Sequence, residues 1–112
     1  MKKTTLTTKV RAIDGWEGID VTVFQDGIAG LFVGRLLKPV PDDRRYVQNG
    51  RWNVYHHTGT VFPGSGFTTR KQAIEIMHKL SDLTDWTQDA DAIGRDYALG
   101  DKVRRVYAGR EA

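Results

Sequence analysis

Arg44-Arg45-Tyr46-Val47-Gln48-Asn49-Gly50-Arg51-Trp52-Asn53-Val54-Tyr55-His56-His57 is the stretch on which the fold turns. Aromatic and β-branched residues lie on both sides of Asn49-Gly50. That dipeptide favours two-residue hairpin turns, because both residues accept positive φ. The spacing predicts a strand over Arg44–Gln48, a turn at Asn49-Gly50 and a strand over Arg51–His57. In this register Val47 opposes Trp52, Arg45 opposes Val54 and Arg44 lies across from Tyr55. Trp52 is large and apolar enough to suit a core position.

Downstream, Thr58-Gly59 reads as a turn, Thr60–Phe62 as a short strand and Pro63-Gly64-Ser65-Gly66 as a loop. Thr69 followed by Gln72 forms a capping box. Behind it Ala73, Ile76, Met77, Leu80 and Leu83 fall on one helical stripe, with Lys71, Glu75 and Lys79 on the other side. Asp85 and Gln88 bracket a second helix start, interrupted by Gly94 and Gly100. Asp101 is placed to cap a last helix through Val103, Val106 and Tyr107, ended by Gly109.

Upstream, Leu6, Val10 and Ala12 space out a half-buried strand over Thr4–Ile13, and Asp14–Gly18 reads as a loop. Ile19, Val21 and Val23 alternate as a second strand, Asp26-Gly27 signals a hairpin, and a third strand runs from Ile28 to about Lys38. Gly30 and Gly34 within it suggest a bulge or a close backbone approach. Pro39-Val40-Pro41 removes two amide donors and is expected to end strand pairing there. Strands precede helices, so the expectation is a single α+β domain over 1–112. Its antiparallel sheet, two hairpins or a meander, packs on one main helix with short C-terminal helices.

With 112 residues, 39% hydrophobic and 28% charged, the chain is long enough to bury a core without staples. It contains no cysteine, which excludes disulfides, thiol catalysis and Cys-ligated metal. No apolar run has the length of a membrane span, and the first residues lack the apolar region of a signal peptide, so a cytoplasmic location is expected.

The net charge is +3, and its distribution is uneven. From Arg44 to Lys71 there is no Asp or Glu, while Arg44, Arg45, Arg51, Arg70 and Lys71 accompany Tyr46, Trp52, Tyr55, Phe62 and Phe67. From Asp82 to Asp101 acids dominate, at Asp82, Asp85, Asp89, Asp91, Asp96 and Asp101, against Arg95. Phosphate binding needs cations without competing acids, and single strands also need aromatic faces. The nucleic-acid-binding candidates are therefore Arg44, Arg45, Arg51, Arg70 and Lys71 for phosphates, with Tyr55 for stacking. The partner expected is DNA or RNA. The alternative is a host protein that docks on the acidic 82–101 segment.

No catalytic or metal constellation is expected, nor any cofactor. His56 and His57 are adjacent on a strand and should point to opposite faces, one of them buried on a backbone group. His78 belongs on the polar side of its helix. Gly64-Ser65-Gly66 matches neither the G-x-S-x-G elbow nor the P-loop, although its amides followed by Arg70-Lys71 suit an anion.

Trp52-Asn53-Val54-Tyr55-His56-His57-Thr58-Gly59, Phe67-Thr68-Thr69-Arg70-Lys71-Gln72-Ala73 and Leu80-Ser81-Asp82-Leu83-Thr84-Asp85-Trp86 together resemble a pattern found in small uncharacterised proteins of actinobacteria, their phages and plasmids. The resemblance implies a phage or plasmid accessory protein. It carries no activity and assigns no site residue.

Overall fold

A computed structural model describes residues 1–12, 15–40 and 45–111, the side chains of 11, 12, 110 and 111 excepted. The chain forms an α+β architecture, with an antiparallel sheet followed by helices. β1 (Lys2–Ala12) and β2 (Gly15–Gln25) pair along their whole length, from Lys2 opposite Gln25 to Ala12 opposite Gly15. Residues 15–18, expected as a loop, are thus strand. Gly18 sits opposite Lys9, and a Cβ there would lie 3.1 Å from a Thr7 methyl, so the glycine spares β2 a crowded neighbour.

β3 (Leu31–Arg35) begins later than the sequence suggests, after a loop at Asp26–Gly30 in which Gly27 has φ +75°. Both close-approach glycines hold up. A Cβ on Gly30 would meet the Trp86 carbonyl oxygen at 2.3 Å, and one on Gly34 the Thr22 carbonyl oxygen at 3.0 Å.

The central hairpin differs from expectation. β4 (Lys38–Pro39) pairs with β5 (Tyr46–Val47), so Pro39 does not end pairing. β6 (Trp52–His56) pairs with β3 instead of the 44–48 stretch, placing Arg35 opposite Trp52, Val33 opposite Val54 and Phe32 opposite Tyr55. The reason lies at Gly50. A type I′ turn needs positive φ there, and Gly50 is not among the positive-φ glycines. Its missing Cβ serves another purpose: the Leu36 carbonyl oxygen would lie 2.7 Å from it, and the Gly50 N–H donates to that same oxygen at 2.8 Å. Gln48 then fills the gap left between β2 and β3. Its amide accepts from the Thr22 N–H at 2.7 Å and donates to the Thr22 carbonyl at 2.6 Å. The resulting sheet order is β1-β2-β3-β6.

Three helices follow. α1 (Arg70–Leu80) starts at the expected capping box of Thr69 and Gln72 and buries Ala73, Ile76, Met77 and Leu80 against β3 and β6. α2 (Ala90–Gly94) is capped by Asp89. α3 (Tyr97–Glu111) begins under Asp96, whose side chain accepts from the Leu99 N–H at 3.0 Å. Asp101 is therefore no cap, and Gly100 and Gly109 lie within the helix. With 15 residues in α3 against 11 in α1, the sheet has no single main helix.

The main core lies between the sheet and these helices, with Leu31, Val33, Val54, Ile76, Met77 and Leu80 fully buried. Burying each such side chain contributes on the order of 2 kcal/mol. On the other face of the sheet a smaller cluster forms around Val21, Val23 and Tyr55. The sheet curls over it until β1 reaches the turn after β6, where the Thr8 hydroxyl donates to the Gly59 carbonyl at 2.7 Å. The outer edge of β6 is occupied by Val61, opposite Tyr55, and by Phe67, opposite Trp52.

Candidate nucleic-acid interface

The pairing of β3 with β6 sets Arg35 beside Trp52 on the helix face of the sheet, with the guanidinium 5.1 Å from the indole centroid. Arg70, the first residue of α1, lays its guanidinium 5.2 Å from the Phe24 ring and 5.9 Å from Trp52. The two rings are 6.1 Å apart and tilted by 43°. Arg51 precedes β6 and donates to the Thr68 hydroxyl at 3.2 Å, just before the helix cap. Cation–π packing of this kind is worth about 0.5–1 kcal/mol per contact at exposed sites. Its larger effect here is positional. The rings hold the Arg35 and Arg70 guanidinium groups in place, Arg35 also donating to the Gly50 carbonyl at 3.5 Å, and guanidinium N–H groups that remain unused there can grip a phosphate. Among the described residues no carboxylate pairs with Arg35, Arg51 or Arg70.

The residues expected from sequence divide accordingly. Arg70 reaches Trp52, Arg51 reaches Thr68 just before the α1 cap, and Lys71 is exposed on the first turn of α1. Arg45 is exposed but stands apart, on the rung where its carbonyl accepts from the Val40 N–H, beyond the β4–β5 pair. Arg44 lies outside the described residues.

Tyr55 is a correction. It is 1% exposed, on the sheet face opposite Trp52, and its hydroxyl donates to the Arg35 carbonyl at 2.9 Å. Burial pushes its pKa up to about 12. An enclosed ring cannot stack on a base. The sequence missed Arg35 and Phe24, because only the β3–β6 and β2–β3 pairings bring them to Trp52.

The histidines also depart from the alternation expected of them. β6 ends at His56, and the rings of His56 and His57 lie 4.2 Å apart. Each serves the segment after α1: His56 Nε2 bonds the Trp86 carbonyl at 2.8 Å, and His57 Nε2 bonds the Gln88 carbonyl at 2.8 Å. The expected buried histidine on a backbone group is thus His56, 3% exposed. His78 is exposed and pairs with Asp26 at 2.8 Å. No group of three or more His, Cys, Asp or Glu among the described residues could hold a metal ion.

An open groove of about 350 Å³ lies between the 60–63 segment and α2–α3. Phe62, Pro63, Trp86, Ile93, Leu99 and Val103 line it, and Tyr97, 85% exposed, stands at its rim. Asp96 and Arg104 also line it, Arg104 paired with Asp101, and Asp89 and Asp91 are exposed at the start of α2. No described helix is long and apolar enough to cross a membrane. No family model, curated protein or solved structure matches the chain.

Proposed function

We propose that this chain is a small nucleic-acid-binding domain, without catalytic activity, that grips backbone phosphates through Arg35, Arg51 and Arg70. The observation that carries the reading is the set of arginines seated on Trp52, Phe24 and Thr68 with no carboxylate partner among the described residues. Buried or paired arginines would signal a structural role. These are exposed and free of carboxylate partners among the described residues, Arg35 and Arg70 lying against rings and Arg51 on the Thr68 hydroxyl. Lys71 adds charge at the helix start.

The test is binding of labelled oligonucleotides by fluorescence anisotropy. The double variant Arg35→Glu/Arg70→Glu should weaken binding by at least about tenfold while the circular dichroism spectrum and melting curve stay those of a folded protein. Binding by the parent should fall steeply with added salt, because each neutralised phosphate releases counterions. Equal binding by parent and variant, or no dependence on salt, overturns the reading.

A second reading rests on the groove beside Tyr97. An apolar slot with Asp96 and Arg104 in its wall suits a host protein that presents an apolar side chain with a polar flank, as an accessory protein of a mobile element would require. Capture of a protein partner after nuclease treatment, lost on Tyr97→Ala and Ile93→Asp, favours it. Persistence of capture in those variants removes it.

A further inference from the structure

Resting on the nucleic-acid reading, we propose that the ligand is held by its phosphate backbone along a track that continues from the arginine cluster onto the uncovered face of the β1–β2 ribbon, through Lys3 and Lys9. Directly opposed residues of an antiparallel pair share a face, and faces alternate along each strand. Lys3 is opposite Phe24, the ring on which Arg70 lies, so its ammonium group extends the cluster by one strand. Thr5, Thr7 and Lys9 follow on that face, opposite Thr22, Asp20 and Gly18. The bond from the Thr7 hydroxyl to Asp20 at 2.7 Å confirms the shared face.

α1 leaves this part of the ribbon open. It starts at Arg70 over Phe24 and runs toward Asp26, which His78 reaches, away from residues 16–22. Lys3, Thr5, Thr7, Lys9, Gly18 and Asp20 are accordingly exposed. The rings at the arginine cluster favour backbone over bases. Trp52 is half-buried with guanidinium groups packed on it, Phe24 carries Arg70, and Tyr55 is enclosed. Asp20 is the described carboxylate on this face of the ribbon, since Glu17 belongs to the other face. Lys3 to Lys9 spans about 20 Å at about 3.3 Å per residue, the length of about six nucleotide steps.

The experiment compares an oligothymidylate of about four nucleotides, which reaches only the arginine cluster, with oligomers of about sixteen, one thymidylate and one of mixed sequence. The slope of log affinity against log salt is read for each. At about −0.7 per neutralised phosphate, the short ligand should give about −2 and the long ones about −3.5. Lys3→Gln/Lys9→Gln, both exposed positions, should return the long ligands to about −2 without changing the short one. Asp20→Asn should tighten binding of the long ligands only. Equal slopes for both lengths, or a double lysine variant identical to the parent, overturns the ribbon track. The arginine reading then survives if Arg35→Glu/Arg70→Glu still abolishes binding. A tenfold preference between the two long sequences overturns backbone reading. Absence of binding by every oligomer overturns both proposals.

Discussion

At the scale of single residues, Asn53 does the most polar work inside the molecule. It is fully buried on β6, and its amide donates to the Phe62 carbonyl at 2.9 Å while its oxygen accepts from the Tyr107 hydroxyl at 2.8 Å. It therefore pins both the edge segment and α3 to the sheet. Asn53→Ala strands two buried groups and is expected to cost about 3 kcal/mol in urea unfolding, with Tyr107→Phe costing about 1 kcal/mol. In the double variant the two losses should sum to less than additive.

His56 sets a pH limit by similar means. Burial lowers its pKa, the Trp86 carbonyl raises it, the charge of His57 lowers it and the Gln88 carbonyl raises it, for a net value below the ordinary 6.5. The unfolded chain then takes up the proton before the folded one. This contribution to stability is complete above the unfolded value and drains away as pH falls through the folded one. The urea midpoint should fall as pH drops below the ordinary histidine value, and less steeply in His56→Gln.

At the scale of elements, the instructive piece is Gln48, whose side chain stands in for a strand. It completes the hydrogen bonding of Thr22 and donates to the Arg35 carbonyl at 3.1 Å, where β2 and β3 part company. Gln48→Ala should expose the Thr22 amide to fast hydrogen exchange and cost about 2 kcal/mol. Loss of protection at β1 alone would refute this role.

The same region shows why the sequence was legible in parts. Local signals were readable: the Thr69 cap, the stripe from Ala73 to Leu80 and the alternation of Ile19, Val21 and Val23 reappear in the structure. The partner of β6 was not, because Asn49-Gly50 carries a strong local turn preference. It is overridden by the long-range seating of Gly50 on Leu36 and of Gln48 between strands. The site inherits that limit. Arg51 and Arg70 stood out by charge, whereas Arg35 and Phe24 entered only through strand order. The burial of Tyr55 is not readable from sequence, because which face of β6 is open depends on how the sheet curls.

At the scale of the whole molecule, that curl hangs on one glycine. Gly59 has φ +91°, and a Cβ there would fall 2.0 Å from the Thr7 carbonyl oxygen on β1. Gly59→Ala should push β1 off the turn and cost at least about 3 kcal/mol, uncovering the cluster around Val21 and Val23. Gly27→Ala makes the matched control. Gly27 also has positive φ, +75°, but nothing lies within 4 Å, so only backbone strain of about 1 kcal/mol is expected. Thermal melts that rank the two variants equally would mean the contact between β1 and the turn contributes nothing.

The tryptophans occupy contrasting surroundings: Trp86 is 2% exposed with its indole N–H on the Leu80 carbonyl, Trp52 is half-covered by guanidinium groups, and Trp16 is 67% exposed. Intrinsic fluorescence therefore has built-in spatial resolution. A collisional quencher should extinguish the hairpin-tip emitter first and the interior one last. Single Trp→Phe replacements would turn the protein into its own set of optical reporters for tip, ligand face and core.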